Sequence, residues 1–381
     1  MRTSSICILM ICGLLSSCAG KPDVSGTLPG QPEIYPDYRG VTVPQNIAPM
    51  NFSYMGEDPA VLMVDGRGGG MLFRARHGLF RFGSRKWRHL MEENVGCDIS
   101  LTVAVRQDGS WRACDSFNMT VSADKVDPYL SYRLIPPGYQ GWKRMGIYQR
   151  NLENYRQRII ADNSLSGENC VNCHTYCNRN PDRMLFHARA EFGGTFFIDG
   201  KEIEKLNTKR DSTISALVYP YWHPSGKYVA FSVNATRQSF FNHDPNRIEV
   251  FDTASDVVVY DVESHNIFWS PLTRSSQMFQ TFPTFSPDGK WLYFCGCSPV
   301  GNMPDGYAEA HYGIYRIAFN PEDKTFGDSL ECLYDGEAEG KSASFPRISP
   351  DGRYLAFTKH GYGNFSIWHK DADRWVRDLS D

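Results

Sequence analysis

Five consecutive residues, Cys170-Val171-Asn172-Cys173-His174, combine types and spacing suited to cofactor chemistry. Two thiols separated by two residues and followed at once by an imidazole fit Cys-x-x-Cys-His, the c-type haem attachment motif. The spacing matters because both thiols add to the vinyl groups of one haem, and the next side chain reaches its iron. On this reading Cys170 and Cys173 are the thioether residues of one haem c and His174 is its proximal ligand. The same segment also allows a Cys170–Cys173 disulfide, or a zinc site completed by Cys177, since Cys170, Cys173, His174 and Cys177 offer four suitable donors. For the distal position the sequence offers Met184, His187, His223 or Tyr176, or an open site. Met184 and His187 point to opposite faces if they lie on a strand.

The start of the chain bears on whether such chemistry has the right compartment, because c-type haem is attached outside the cytoplasm. Met1-Arg2-Thr3-Ser4-Ser5 precedes about ten apolar residues, Ile6 to Leu15, which is a signal-peptide core too short to span a bilayer. Leu15-Ser16-Ser17-Cys18-Ala19-Gly20 then resembles a bacterial lipobox, whose rule implies cleavage before Cys18 and diacylation of its thiol. The expectation is a protein lipid-anchored in the bacterial cell envelope, on the periplasmic side of the outer membrane or at the cell surface. Of 11 cysteines, Cys97, Cys114, Cys170, Cys173, Cys177, Cys295, Cys297 and Cys332 remain for disulfides, metal or cofactor attachment in an oxidising compartment. Forty Lys and Arg against 43 Asp and Glu give a net charge of −3, which excludes a basic nucleic-acid footprint on bulk charge. Neither Gly-x-Ser-x-Gly nor His-Glu-x-x-His occurs, so no hydrolase signature supports an enzyme.

The elements that must position the motif are mostly short strands, as 13% aromatic residues with 33 Gly and 22 Pro imply. Residues 19–45 read as a linker from the anchor. Residues 46–130 alternate in short runs such as Ala60–Val64 and Ile99–Val105, separated by turn signals, and predict a small β-sandwich in which Cys97 and Cys114 are placed to bridge. In 131–180, Pro136-Pro137-Gly138 ends the β region. The apolar residues Met145, Ile147, Tyr148, Leu152, Tyr155 and Ile159 then approximate a helical face over Trp142–Ile160, leading into the motif. Residues 181–381 contain an internal repeat: Phe282-Pro283-Thr284-Phe285-Ser286-Pro287-Asp288-Gly289 recurs as Phe345 to Gly352 and, with changes, as Tyr219 to Gly226, the three prolines lying 63 residues apart. His223 stands where the other two copies have Ser286 and Ser349. Each copy is strand, turn, strand, and further strands follow, so the period predicts propeller blades. One of Cys295 and Cys297 is placed to pair with Cys332 across a blade.

These repeats resemble the TolB-like propeller repeat, a relative of the WD repeat. Asn180-Pro181-Asp182-Arg183-Met184-Leu185-Phe186-His187 is similar to a decayed fourth copy. Tyr132 to Tyr139, the motif and the repeats together resemble exported lipoproteins labelled TolB-like or cytochrome c biogenesis-associated. The order of N-domain, haem motif and propeller is similar to the alpha subunit of hydrazine synthase. The resemblance implies an all-β protein, with a β-domain, a helical haem-motif segment and a propeller. The last repeat stops about three strands into a blade, so either the N-terminal β-domain supplies blades or the chain is a truncated member. It implies a membrane-anchored carrier of one haem c that exchanges electrons with a redox or envelope partner. The alternative from another class is a non-catalytic interaction scaffold, its cysteine cluster stapled by a disulfide or zinc.

Overall fold

The computed structural model describes residues 22–135, 145–209, 211–243, 248–301, 303–365 and 371–380. The expected signal peptide with Cys18 and the Pro136-Pro137-Gly138 stop lie outside these residues. The chain divides into two units, residues 1–130 with 150–157, and residues 131–149 with 158–381. Among the described residues no helix is long and apolar enough to cross a membrane.

The first unit is built on a seven-stranded sheet whose longest member, Asp98–Gln107, pairs with Ala60–Asp65, Ser110–Ala113 and Phe117–Ser122. Alternation along Asp98–Gln107 buries Ile99, Leu101, Val103 and Val105 in one core. A three-stranded sheet and the helix Ser84–Glu93 share that core through Phe52, Phe80, Trp87, Leu90 and Met91, and Trp87 Nε1 donates to the Ile47 carbonyl at 2.8 Å. Residues 22–45 are not a linker. Val24–Thr27 pairs in parallel with Ser110–Ala113, and Thr42–Pro44 in parallel with Phe117–Ser122. Their short apolar content hid this, because each strand contributes only three or four residues to an edge and Val43 alone is fully buried there.

The second unit is a succession of five sheets. The first, of which residues 131–134, 146–149 and 158–162 fall in this unit, comprises Tyr129–Leu134, Gly146–Asn151 and Gln157–Asp162; the second, Val171–Tyr176, Arg183–Ala188, Gly194–Asp199 and Glu202–Leu206. The third comprises Leu217–Trp222, Tyr228–Phe240, Ile248–Asp261 and Ile267–Phe268. The fourth is led by Phe279–Phe285 and Trp291–Cys297, the fifth by Ser342–Ile348 and Tyr354–His360. Within the second to fifth sheets the leading pairs are antiparallel, and each leading strand packs on the leading strand of the next sheet. That is the radial order of β-propeller blades, and the fold is all-β.

The helix expected over Trp142–Ile160 is, in its described part, a hairpin. Tyr155 N–H bonds the Asn151 carbonyl at 2.9 Å, and Tyr155 takes φ 63° to close the turn. Ile147 lies on one strand, just after Met145, and Ile159 and Ala161 lie on the other. Apolar residues of two short strands joined by a turn mimic helical spacing when read as one run. The motif therefore leaves a strand-rich segment and itself occupies a strand.

The repeat acts through two devices. In the turns, Ser286 Oγ donates to Asp288 Oδ1 at 2.5 Å and accepts from Trp291 N–H at 3.0 Å, while Gly289 takes φ +73°. In the leading strands a bulge places Tyr219, Phe282 and Phe345 at φ 50°, 53° and 52°. Left-handed backbone at a bulky residue costs about 1–3 kcal/mol and persists only where packing over-determines it. Here the three rings meet: Tyr219–Phe282 at 4.8 Å, Phe282–Phe345 stacked at 4.0 Å, with Phe365 5.3 Å from Phe282.

Candidate functional site

The Cys-x-x-Cys-His motif occupies the bulge of the second sheet's leading strand. Register shifts between Asn172 and Thr175 as it does between Thr281 and Thr284, so Cys173-His174 stands where the other sheets place Tyr219-Pro220, Phe282-Pro283 and Phe345-Pro346. Cys173 has the same left-handed backbone, φ 55°. Its thiol is buried and accepts the Tyr219 backbone N–H, which places Cys173 beside the aromatic cluster. Cys170 is partly exposed and lies close enough to Cys173 to act on it electrostatically.

Two guanidinium groups flank the thiols. Arg133, exposed, donates to Asn172 Oδ1 at 2.6 Å, and that oxygen also accepts Cys173 N–H. Arg189 follows the second strand and is also exposed; its backbone N–H bonds the Cys170 carbonyl at 2.9 Å. Burial pushes both thiols up, against the pull of Arg189 and Arg133. His174 Nε2 lies 3.1 Å from Ser131 Oγ, which also accepts the Tyr176 hydroxyl at 3.1 Å. Burial holds the His174 imidazole below its ordinary value, with a smaller contribution from Arg133.

Met184 pairs directly opposite Tyr176 and so shares the blade face that carries Tyr176 and His174; it is buried. His187 is on the other face with Leu185. Its Nδ1 meets Thr195 Oγ1 at 3.2 Å, Thr195 meets Thr208, and burial lowers its pKa to about 4. His223 belongs to a turn. Its Nδ1 accepts Ser225 N–H at 3.1 Å and faces Ser225 Oγ at 2.8 Å, while Nε2 meets the Gly289 carbonyl of the next sheet at 3.0 Å. Both ring nitrogens are thus engaged. The departure from serine at this position reflects an inter-sheet tie, with Ser225 taking over the turn contact made elsewhere by Asp288.

Cys177 turns away from the motif into a cluster with Leu185, Leu217 and Trp222, 3.9 Å from Arg183 Nη1. Among the described residues no three His, Cys, Asp or Glu side chains come together to hold a metal ion, so the four-donor zinc arrangement is not assembled. The eight described cysteines are unpaired thiols. Cys97 precedes Asp98, whereas Cys114 lies opposite Val103, about 20 Å along the same strand, too far to bridge. Strand Gly313–Asn320 lies between Cys295 and Cys332.

Ser131, Arg133 and Arg189 escaped the sequence reading. The available signal was structural equivalence: Arg189 closes the second strand, where the third sheet has Asn234 and the fifth His360. Two neighbouring thiols and an adjacent imidazole are the donor types that attachment of a haem c uses, and the residues that could hold one are Cys170, Cys173 and His174, with Arg133 and Arg189 beside them.

No family model matches the chain, and no curated protein matches it. Among solved structures it is similar to an oligogalacturonate lyase from Vibrio parahaemolyticus, at TM-score 0.33 and 12% identity over 90% of this chain and 89% of that one. It is also similar to the β-propeller domain of the Trilobed protease from Pyrococcus furiosus, at TM-score 0.34 and 10% identity over 74% and 66% of the two chains. An acylaminoacyl peptidase from Pyrococcus horikoshii matches at TM-score 0.36 and 13% identity, over 66% of this chain and 37% of the other.

Proposed function

We propose that this chain binds one covalent haem c through Cys170 and Cys173, with His174 as axial ligand, and serves electron transfer as a TolB-like propeller lipoprotein of the cell envelope. The observation that carries the reading is the neighbouring pair of thiols beside His174, flanked by Arg133 and Arg189. Bound haem would supply one-electron exchange with a protein partner. The chain's own residues would hold it: two thioethers, the imidazole once Ser131 releases Nε2, and guanidiniums toward the propionates. Acylation at Cys18 would keep the protein at its membrane.

The test is intact mass and an absorption spectrum of the full chain made beside a c-type maturation system. The expected result is one covalent haem in the wild type, and its loss in Cys173→Ser, whose hydroxyl still accepts Tyr219 N–H and so preserves the fold. A protein without haem mass, with Cys170 and Cys173 joined as a disulfide, overturns the reading. The neighbouring thiols favour that second state, in which the propeller is a stapled interaction scaffold.

A further inference from the structure

The first unit carries a concentration of positive charge that nothing in the haem reading uses. Between Asp65 and Glu92 the chain holds six arginines, one lysine and two histidines and no acidic residue, within a protein of net charge −3. All nine side chains are exposed. Among the described residues Arg67, Arg76, Arg81, Arg85, Lys86 and Arg88 make no ion pair. A groove of about 650 Å³ lies along helix Ser84–Glu93, with Met71 on one side, Arg85, Lys86, Arg88 and His89 along it, and Glu92 at its far end.

The placement of these charges opposes the helix. Its first turn carries no acidic residue and no side-chain cap, and Arg85 and Lys86 sit at the end where the macrodipole is positive. Arg85 is also one turn from Arg88, a spacing at which like charges repel. Uncapped N–H groups and unpaired cations at one helix end favour a multiply charged anion.

We propose that this groove docks the anionic headgroups of a lipid bilayer. The proposal rests on the reading of Cys18 as the lipid-bearing residue. Val24 begins the first strand six residues after Cys18, a reach of about 20 Å when fully extended. An anchor there holds the first unit at the headgroup layer, where each exposed Lys or Arg adds to binding on an anionic surface and screening by salt weakens it. Arginine forks suit phosphate oxygens in pairs, which six arginines against one lysine favour.

The test uses the full chain with Cys18→Ser, which removes the acyl chains, floated with phosphatidylcholine vesicles or with vesicles containing about one-third phosphatidylglycerol. Anionic vesicles are expected to retain at least about tenfold more protein at low salt, and the excess to vanish near 0.5 M salt. Arg85→Glu with Arg88→Glu should abolish the excess without lowering the melting temperature, because a carboxylate in place of the Arg85 guanidinium suits the first turn. Equal retention on both vesicles, an excess unaffected by the double substitution, or its complete competition by millimolar inorganic phosphate overturns the proposal. Acylation is read separately, from the mass of wild-type chain recovered from membranes, so failure of the anchor and failure of the groove are distinguishable.

Discussion

His187 shows how one position is read differently from sheet to sheet. Across each bulge, the second-strand residue paired with the position just before it is His187, Ser232, Cys295 or Thr358. Ser232 and Cys295 accept the backbone N–H of the next sheet's bulge residue, Phe282 and Phe345. In the second sheet the Cys173 sulfur takes that N–H, and His187 turns to Thr195 instead. Buried and facing a hydroxyl, with Arg189 as a lesser influence, the imidazole titrates near 4 in the folded chain against an ordinary value of 6.5. A depressed histidine contributes stability that is complete above pH 6.5 and is lost as pH falls from there toward 4, about 3 kcal/mol for this gap. His187→Ser, which restores the residue of the third sheet, should remove that acid-side loss. Urea melts of both proteins at pH 7 and pH 4.5 check this: going from pH 7 to pH 4.5, the variant should gain stability relative to the wild type, and an unchanged difference between the two proteins refutes it.

At the scale of elements, the bulge depends on a donor–acceptor match between neighbouring sheets. Phe282 N–H reaches Ser232 Oγ at 2.8 Å in a fully buried setting, and Ser232 Oγ also meets Thr281 Oγ1 at 3.1 Å. Ser232→Ala leaves a buried N–H without its acceptor and should cost about 1–3 kcal/mol. Ser232→Cys should cost less, because Cys295 serves Phe345 in the same way one sheet on; thermal melts of the two variants decide it, and equal losses count against the mechanism. The sequence revealed this element only in part. The Phe-Pro and Ser-Pro-Asp-Gly spacing located three of the leading strands and their turns. It did not reveal that Cys173-His174 was the fourth bulge, because three extra residues, Cys177–Arg179, separate that strand from its turn and no proline marks it. Nor did it separate hairpin from helix at Trp142–Ile160, where alternation is short and the turn carries no glycine. Ser131, Arg133 and Arg189 come from different elements, and only the fold brings them to the motif.

At the scale of the second unit, the third sheet's middle hairpin is the element that ties sheets together. Its strands run 13 and 14 residues where the fourth sheet's run 7 and 8. The added length carries Asp252 into a buried knot: Asn234 Nδ2 donates to it at 2.9 Å and Asn364 Nδ2 at 2.5 Å, with the Ser255 and Tyr312 hydroxyls close enough to favour its charged form. Tyr307 from the fourth sheet donates to the Val250 carbonyl at 2.7 Å, and Tyr362 from the fifth to Glu249 at 2.9 Å. With neutral donors only, burial outweighs these bonds and raises the Asp252 carboxyl from 3.8 to about 7. A raised carboxyl favours the protonated fold, so its contribution is complete below pH 4 and is lost as pH climbs from there through 7, about 4 kcal/mol for this gap. The sign is opposite to that of His187 over the same interval. The wild type should therefore show shallow pH dependence between 4 and 7. His187→Ser should lose stability as pH rises through this interval, and Asp252→Asn as pH falls. Paired urea melts at pH 4.5, 5.5 and 7 measure both slopes, and two variants that share the wild-type profile refute the compensation. The knot would then be a packing feature whose carboxyl stays ionised throughout, and the third sheet would be tied to the fifth by the Tyr362 contact at Glu249 and to the fourth by the Tyr307 contact at Val250.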